Sequence, residues 1–481
     1  MAYKYGDRKQ LSLFPASIED YVGKDSPVRA YDAIINALDL HQLGIEINDN
    51  RVGNSAYNPV AMLKLLTYSY SYGFQSSRKI ERACYDSLPF IWLTGGLKPD
   101  HKTISEFRRK NSKALKKVLK QIVRICIKLN FVDGNVLFVD GSKFRGNASR
   151  EKQRSEEWCK KKIERLDARI EELLAQCEKQ DILEGGEGSY VKMDKELSQK
   201  EKLKNKIQHA LSELKRKGID SINITDPDSS TMKGRQGSHS GYNVQSVVDG
   251  KEGFIVYTDV VTDKNDLNQI EKQMKEAIKN TGKKCETVCG DAGYANTKQF
   301  ENIADIGIKV VVPTNRQAAV KKSKPFEKNQ FIYDKKKDCY YCPEGHLLKR
   351  CGLNKKRKVT NYMIENKQLC FACNNWGKCT TAKRGRSIQR YWNEASTEYF
   401  ESIYENSQEI YALRKQKVEL PFGHIKRNLK CFQFLLRGLK KVQGEMALYA
   451  TCYNISRIVG KLGVSETIEK IAQVKLGCNT S

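Results

Sequence analysis

The chain has 481 residues, of which 39% are hydrophobic and 30% are charged. The hydrophobic share excludes a wholly disordered chain, and the length suffices for about three domains. Lysine and arginine number 85 against 57 aspartates and glutamates, and the formal net charge of +28 predicts a polyanionic partner, first of all nucleic acid.

The cellular location is indicated by sorting features and by the placement of cysteines. No run approaches the roughly 20 apolar residues of a membrane span, and residues 1–10 lack the apolar core of a secretory signal. Of fifteen cysteines, six lie between Cys339 and Cys379, a crowding more typical of a metal site than of a disulfide framework. We therefore expect a cytoplasmic protein with no membrane contact.

Residues 1–130 are predicted to be helical. Apolar residues recur at helical spacing in residues 60–68 and 115–129. Thr103 and Glu106 have the spacing of a capping box and predict the start of a basic helix. This region suits DNA binding, although an ordinary solvated helix face explains its basic residues equally well.

The periodicity changes to that of a strand at residues 135–140. Four consecutive apolar residues precede Asp140 and Gly141, which predicts a central strand that is buried on both faces and ends at the acid. Further elements are predicted in chain order: strands at 242–248 and 254–261, a helix at 266–280, a strand at 286–289, a helix at 296–306 and a strand at 308–312. This order predicts an α/β fold with a mixed sheet flanked by helices.

Two inserts interrupt the sheet-forming part, which comprises residues 131–320 and 391–465. Residues 151–218 hold two stretches of apolar 3-4 spacing on either side of the glycines of residues 185–188, which predicts an antiparallel helical hairpin. Residues 321–390 are rich in lysine and hold the cysteine cluster. Residues 466–481 form a short tail.

Three acids are candidate metal ligands. Asp140 and Asp291 each end a predicted strand, and a buried carboxylate at a sheet edge needs a cation. Because Mg²⁺ prefers carboxylate oxygen, the pair predicts a site for two divalent ions, although a simple turn explains either acid alone. Glu419 supplies a third acid, since it lies between apolar neighbours in an otherwise basic segment.

A helical stripe is predicted around the third acid. At about 100° per residue, one helix face would carry Tyr411, Lys415, Glu419, Phe422 and Lys426. One acid among several bases is expected where a metal and a phosphate meet. Pro421 predicts a kink just after Glu419.

Other basic residues lie close to these acids in the sequence. Six of them could line a groove and neutralise phosphates, and Lys426 is favoured among the six: Lys143, Arg145, Lys233, Arg235, Lys426 and Arg427. The histidines have no metal-ligand spacing, and His101, His239 and His424 are interpreted as ordinary surface or turn residues.

The cysteines form two pairs with the spacing of a zinc ribbon. Two residues separate Cys339 from Cys342 and Cys370 from Cys373, and 27 residues lie between the pairs. The four thiolates predict a structural Zn²⁺ that folds the lysine-rich insert. A metal-free loop is the alternative, and three neighbours could replace a member of the four: His346, Cys351 and Cys379.

Together these motifs resemble one family over nearly the whole chain. Five segments carry the resemblance: residues 99–108, 139–142, 241–245, 290–294 and 418–426. Their order and context are similar to those of DDE-type transposases of bacterial insertion sequences, in the group related to the insertion-sequence-four superfamily that carries a zinc-ribbon-like insertion. The resemblance implies a ribonuclease-H-like fold in which Asp140, Asp291 and Glu419 hold two Mg²⁺ or Mn²⁺ ions, with residues 1–130 as a DNA-binding region.

The family also has a Tyr, Arg, Glu, Lys signature around its last acid. Tyr411, Arg414, Glu419 and Lys426 match it in order, but four residues rather than three separate Arg414 from Glu419. The departure leaves open whether Arg414 or Lys415 contacts phosphate, and the helical stripe favours Lys415.

The resemblance implies cleavage of DNA at the element ends and joining of the 3′-hydroxyls to target DNA by transesterification. Such exchange needs no nucleotide cofactor, and the chain has no Gly-x4-Gly-Lys-Ser/Thr phosphate loop. Joining two ends to one target predicts a homodimer on double-stranded DNA at the bacterial nucleoid. The alternatives are a catalytically dead zinc-ribbon DNA-binding protein and a metal-dependent nuclease without strand transfer.

Overall fold

A computed structural model describes residues 17–45, 57–182, 187–234, 237–319 and 326–476. The chain divides into two compact units. Unit one comprises Met1–Asn265, Gln273–Lys284 and Lys417–Ser481, and unit two comprises Asp266–Lys272 and Cys285–Gln416. No described helix is both long enough and apolar enough to cross a membrane.

Unit one starts with helices. In its described residues, seven precede the first strand: α1 (Pro27–Asn36), α2 (Leu40–Leu43), α3 (Pro59–Ser71), α4 (Ser77–Asp86), α5 (Leu88–Thr94), α6 (His101–Lys110) and α7 (Ser112–Lys128). Proline at the first position of α1 and α3 costs no helical hydrogen bond there. The helical stretches predicted at 60–68 and 115–129 lie in α3 and α7.

Helix α6 begins earlier than the capping-box pattern predicts. It starts at His101, and the side chain of Asp100 accepts a hydrogen bond from the Thr103 backbone N–H at 2.7 Å. The carboxylate of Asp100 therefore satisfies a free N–H of the first turn, a role that the sequence pattern assigned to Thr103.

Six strands follow in the described part of unit one: β1 (Val136–Arg145), β2 (Gln153–Ser155), β3 (Ser221–Asn223), β4 (Ser230–Gly234), β5 (Gly237–Asp249) and β6 (Ile255–Val261). Strand β5 pairs antiparallel with β1 from Asp249 to Gly241, and it also pairs with β4 and β6. The predicted end of β1 at Asp140 is wrong, because the polar residues after Asp140 keep their ladder partners on β5.

The insert between β2 and β3 is a helical hairpin. Its arms are α8 (Glu156–Ile182) and α9 (Glu187–Lys217), and the antiparallel pair β2–β3 closes its base. The base has a small apolar core of Cys159, Leu166, Ile207, Ala210, Leu214, Ile222 and Ile224. The turn predicted at 185–188 lies partly outside the described residues, since α9 begins at Glu187.

Helix α10 (Ile270–Thr281) is followed in unit two by β7 (Thr287–Cys289), α11 (Thr297–Asp305), β8 (Lys309–Val311) and α12 (Asn315–Ala319). Strands β7 and β8 pair in parallel. A parallel pair needs a crossover connection, and α11 supplies it. These elements match the strands and helices predicted between residues 266 and 312.

The lysine-rich insert of unit two forms an antiparallel sheet in the order β13-β12-β11-β10-β9. Its elements are β9 (Ile332–Asp334), β10 (Cys339–Tyr341), β11 (Leu347–Asn354), β12 (Val359–Ile364), α13 (Lys367–Phe371) and β13 (Ser387–Tyr391). A core of Phe331, Tyr340, Leu348, Tyr362, Ile364 and Ile388 packs on one face. The insert therefore has an apolar core of its own.

Three helices complete the described chain: α14 (Glu394–Glu405), α15 (Gln408–Arg427) and α16 (Leu439–Leu476). Helix α15 stays helical through Pro421, where a kink is predicted. Helix α16 contacts α1, α3, α7 and β6, and Gly463 at φ 76° interrupts it. The fold is thus α/β, with antiparallel and parallel strand pairing and with helices packed beside the strands, as the sequence predicts at this level.

Candidate active site

A large open cavity of about 1280 Å³ lies in unit one. Two of its lining residues are the acids Asp140 and Glu419. Six more are basic: Lys143, Arg145, Lys233, Lys426, Arg427 and Arg457. An excess of cations around two carboxylates suits a polyanion whose phosphates approach bound metal ions.

Strand β1 positions Asp140. Leu137, Phe138 and Val139 are buried, and Asp140 is the first half-buried residue after them. Its partner across the ladder is Ser246 of β5. The acid therefore projects from the middle of a paired strand, which holds it more rigidly than the strand end that the sequence predicts.

Helix α15 positions Glu419. Val418, Pro421, Phe422 and Ile425 form its buried face, and Glu419 is exposed and lines the cavity. Because the apolar residues fix the rotation of this part of the helix, the adjacent acid faces the cavity.

Lys426, the favoured cation, is attached to the same strand as Asp140. Its Nζ donates a hydrogen bond to Ser142 Oγ at 2.6 Å and lies 4.5 Å from the ring centre of Phe144. Both partners belong to β1, which also carries Asp140. The ammonium group is therefore held beside the first acid.

The structure brings together most of the other predicted basic residues. Five of the six predicted groove residues line the cavity, and the sixth, Arg235, lies outside the described residues. His239 and His424, interpreted above as ordinary surface or turn residues, also line it. Burial, with added repulsion from Arg145 at His239 and from Arg457 at His424, lowers the pKa of both histidines, so both are neutral at pH 7.

Sequence reasoning missed Phe432, which lines the cavity with 68% of its surface exposed. Its neighbours Cys431 and Phe434 are fully buried, and the Phe434 N–H donates to Arg145 O at 3.0 Å. The segment is thus anchored to β1 after the exposed ring, and before the ring the Cys431 N–H donates to Ile425 O of α15 at 3.0 Å. No sequence pattern distinguishes Phe432 from the buried Phe434 two residues later.

Asp291 belongs to unit two, where it follows β7 by two residues. Its Oδ1 accepts a hydrogen bond from the Gly293 N–H at 2.9 Å and caps the short turn Ala292–Tyr294. A Cβ atom on Gly293 would lie 2.9 Å from Asp291 Oδ1 and 3.8 Å from Asp266 Oδ2. A second carboxylate, which the sequence did not single out, therefore lies close to Asp291.

The remaining signature residues lie on the first half of α15, within unit two. The Arg414 guanidinium lies 5.6 Å from the ring centre of Tyr411, and Lys415 is exposed. Arg414 is thus held by an aromatic ring, whereas Lys415 is free to reach a ligand in solution.

The acids do not form a ready-made metal site. Across the described ranges, no group of three or more His, Cys, Asp or Glu side chains is placed so that it could hold a metal ion. Asp140 and Glu419 share one cavity, and their oxygen ligands fit a hard cation such as Mg²⁺.

Four cysteines of unit two line a second cavity of about 30 Å³: Cys342, Cys370, Cys373 and Cys379. Backbone N–H groups point at three of the sulfurs, from His346 to Cys342 at 3.3 Å, from Asn375 to Cys373 at 3.4 Å and from Arg386 to Cys370 at 3.5 Å. Such N–H groups favour thiolates, which are the form that binds zinc.

One member of the predicted zinc quartet does not line this cavity. Cys339 lies on β10 and is not among the lining residues, whereas Cys379 is. Tyr340 packs into the core of the insert, and side chains alternate along a strand, so Cys339 points to the opposite face. His346 also lines this cavity, and Cys351 is exposed.

Comparison with protein families identifies the chain. Residues 16–110 match a model described as "Transposase domain (DUF772)", and residues 218–455 match one described as "Transposase DDE domain". Together the two models match more than two thirds of the chain. The chain belongs to the DDE-type transposases of insertion sequences.

Other comparisons add little. A cryo-EM structure of a piggyBac transposase synaptic complex with hairpin DNA is similar over 94% of this chain and 80% of its own, at 11% identity and a TM-score of 0.36. A likeness this weak carries no argument about the fold. No curated protein matches the chain.

Proposed function

We propose that this protein is an active transposase with a ribonuclease-H-like catalytic part, in which Asp140, Asp291 and Glu419 hold two Mg²⁺ or Mn²⁺ ions. It would bind the terminal repeats, cleave the DNA there and join the 3′ ends to target DNA by transesterification. The observation that carries the proposal is the cavity where Asp140 and Glu419 lie among lysines and arginines.

The side chains of the cavity have separable roles in this reaction. Bound divalent ions supply the acidity that makes water or a 3′-hydroxyl a nucleophile and that stabilises the leaving oxygen. The carboxylates hold the ions and do not attack the phosphorus. Lys426, held by Ser142, neutralises a DNA phosphate beside Asp140. Arg145 and Lys233 position the sugar-phosphate backbone of the DNA. His239 and His424 are neutral and do not compete with these cations for phosphate.

The test is cleavage and strand transfer on DNA with the flanking terminal repeats, with Mg²⁺ or Mn²⁺. We expect Asp140→Asn, Asp291→Asn and Glu419→Gln each to abolish both activities while DNA binding persists. Glu409→Gln is a matched control, because Glu409 is an exposed acid on the same helix as Glu419. Activity in any of the three variants would remove that acid from the metal site.

The same assay separates the alternatives. A wild-type protein that binds DNA and never cuts it would be the dead DNA-binding protein. One that cuts and gives no joined product with a target plasmid would be the nuclease.

The proposal extends to a structural Zn²⁺ on Cys342, Cys370, Cys373 and Cys379. These thiols share one small cavity, and backbone N–H groups already point at three of them. In the described residues they do not stand at metal-binding geometry, so zinc would have to draw them together. A bound ion would tie the turn after β10, which carries Cys342, to the segment between β12 and β13.

Metal content tests this ligand set. Protein purified without chelators should hold one zinc per chain by atomic emission, and Cys339→Ser should retain it. Cys379→Ser should lose most of it and melt at a lower temperature. Loss of zinc in Cys339→Ser and its retention in Cys379→Ser would support the ligand set with Cys339 instead. Wild-type protein without zinc would show that the insert binds no metal.

The proposal also assigns a role to each part of the chain. Residues 1–130 would recognise the terminal repeats, and residues 131–320 with 391–465 would catalyse. Two chains would bridge two element ends, so light scattering of the complex with repeat DNA should give two chains per assembly. One chain per DNA end without pairing would contradict the homodimer.

A further inference from the structure

The insert of unit two carries a cluster of positive charge that the active site does not use. Its residues lie in two turns of the five-stranded sheet: Lys335, Lys336 and Lys337 between β9 and β10, and Lys355, Lys356, Arg357 and Lys358 between β11 and β12. All seven are exposed. We call this cluster the basic end.

The topology puts both turns at one end of the sheet. Neighbouring strands are antiparallel and joined in chain order, so the first and third turns fall at the same end and the second falls at the other. Cys342, which lines the cysteine cavity, is in the second turn. The sheet therefore carries its thiols at one end and its basic turns at the other.

Two exposed aromatic residues extend the basic end. Tyr391, the last residue of β13, pairs with Val359 at the start of β12, and the Trp392 N–H donates to Lys358 O at 3.0 Å. Both side chains are 54% exposed. Rings beside exposed cations provide apolar contact area next to a charged ligand, as in many nucleic-acid sites.

The nearby acids form hydrogen bonds within the sheet and not ion pairs with these side chains. The Tyr341 hydroxyl and the charge of Asp334 nevertheless raise the pKa of Lys337. Asp334 accepts the backbone N–H groups of Lys336 and Lys337 at 2.9 and 3.1 Å, and so shapes its turn. Asp338 accepts hydrogen bonds from Tyr333 and Tyr362. Within the described part of the chain, none of the seven side chains forms an ion pair with an acid. The like charges therefore repel each other until an anionic ligand binds.

We propose that the basic end is a second DNA-contact surface, which binds the phosphate backbone of duplex DNA away from the catalytic cavity and without regard to sequence. Lysine ammonium groups on turn tips are point charges that contact phosphates and read no base edges. The proposal rests on the proposed transposase function, since it assumes that the ligand is the DNA on which the active site acts.

Salt dependence of binding is the direct test. The variant replaces Lys355, Lys356, Arg357 and Lys358 by glutamine. The control replaces Lys367, Lys378, Lys383 and Arg384 by glutamine; these are four exposed cations of identical composition at the cysteine end. Both variants lose four charges, so any difference between them is due to position and not to net charge.

The full-length chain and a duplex of arbitrary sequence are used over a range of salt concentrations. Each phosphate contact contributes about 0.9 to the slope of log K against log salt, so the basic-end variant should lose up to about 3.5 from the slope and bind at least tenfold more weakly near 0.1 M salt. The control should match the wild type within about twofold. Equal effects in both variants, or none in either, would overturn the proposal.

Trp392 gives a measurement that does not need the fourfold variant to fold. Addition of duplex DNA should change the tryptophan fluorescence of the wild type, and Trp392→Phe should remove most of that change. An unchanged response in Trp392→Phe would contradict contact at this end. If the wild type cuts terminal-repeat DNA but both the salt and the fluorescence tests fail, only this inference is wrong. If the wild type neither binds nor cuts DNA, the proposed function is wrong.

Discussion

Asp249 shows how one buried carboxylate holds two connections of unit one. It is the last residue of β5 and is fully buried, and its two oxygens accept the backbone N–H groups of Gly134 at 2.8 Å and Lys251 at 3.0 Å. Burial raises the pKa of Asp249 to about 6. The carboxylate thus fixes the turn before β1 and the turn after β5.

The raised pKa predicts a pH dependence of stability. Between about pH 4 and pH 6 the folded state holds a proton on Asp249 that the unfolded state has released, so the free energy of unfolding falls as pH rises through this window. The contribution is about 3 kcal/mol, by the usual 1.36 kcal/mol per pKa unit. Urea unfolding of the wild type and Asp249→Asn from pH 4 to pH 7.5 measures it.

Asp249→Asn is expected to be less stable than the wild type at every pH, because an amide cannot accept both N–H groups. Its free energy of unfolding should also lack the fall between pH 4 and pH 6. A difference between the two proteins that does not vary with pH would contradict the assignment.

Lys426 places a positive charge at a fixed position beside Asp140. Lys426→Ala removes the cation that Ser142 holds beside Asp140 and should slow cleavage tenfold or more, since a hydrogen bond to a charged group contributes about 1.5–3 kcal/mol. Single-turnover cleavage with saturating DNA measures the rate. Lys440→Ala, at an exposed lysine outside the cavity, should cut at the wild-type rate, and equal rates in both variants would remove Lys426 from the site.

At the scale of elements, close backbone contacts explain two glycines. A Cβ on Gly241 of β5 would overlap the carbonyl oxygen of Phe144 on β1. This glycine opens one of the segments that carry the family resemblance, and the contact gives the physical reason for it. Gly444 of α16 has the same role against α7, where a Cβ would lie 2.5 Å from Ser112 O.

Gly444→Ala should therefore separate α16 from α7. Overpacking of this kind costs about 1–3 kcal/mol, and here the opposing atoms are backbone that cannot turn aside. Gly460→Ala is the matched control on the same helix, because nothing lies within 4 Å of its Cβ position. It should be neutral or stabilising by up to about 1 kcal/mol, from helix propensity. Equal unfolding midpoints for both variants would contradict the close approach.

At the scale of the molecule, a buried arginine of the amino-terminal helices and a buried glutamate of α16 interact electrostatically within unit one. Arg108 of α6 donates to the Tyr70 hydroxyl at 2.6 Å, and Glu445 of α16 accepts the Leu435 N–H at 3.0 Å. Both side chains are buried, and the positive charge of Arg108 acts on Glu445, although burial still raises the pKa of Glu445. The network connects the amino-terminal helices to the segment that carries Phe432.

Removal of one partner should cost more than removal of both. Arg108→Met removes the hydrogen bond to Tyr70 and the positive charge that acts on the buried Glu445, and it is expected to cost about 1–3 kcal/mol. Adding Glu445→Gln should recover part of this loss, since the uncompensated charge is then gone. A double-mutant cycle by urea unfolding measures the coupling, and strictly additive effects would show that the two charges do not interact.

Local patterns predicted much of the fold. Apolar spacing located α3, α7, both arms of the hairpin and the strands β1, β5, β6, β7 and β8, because periodicity is a property of neighbouring residues. It missed the short strands β2, β3 and β4. The same approach misplaced the end of β1 and the start of α6. Both errors arose where a partner overrides the local signal, namely the ladder with β5 for Asp140 and the carboxylate of Asp100 for α6.

The sequence by itself determined the family, the α/β class and the acids Asp140, Asp291 and Glu419 as candidates, because these depend on motifs and their order. Only the tertiary structure decided that Cys379 and not Cys339 lines the cysteine cavity, that Phe432 is exposed in the cavity of Asp140 and Glu419, and that the basic turns share one end of a sheet. Strand register, side-chain direction and contacts between distant segments decide these matters. Each depends on partners far away in the chain, which no local pattern specifies.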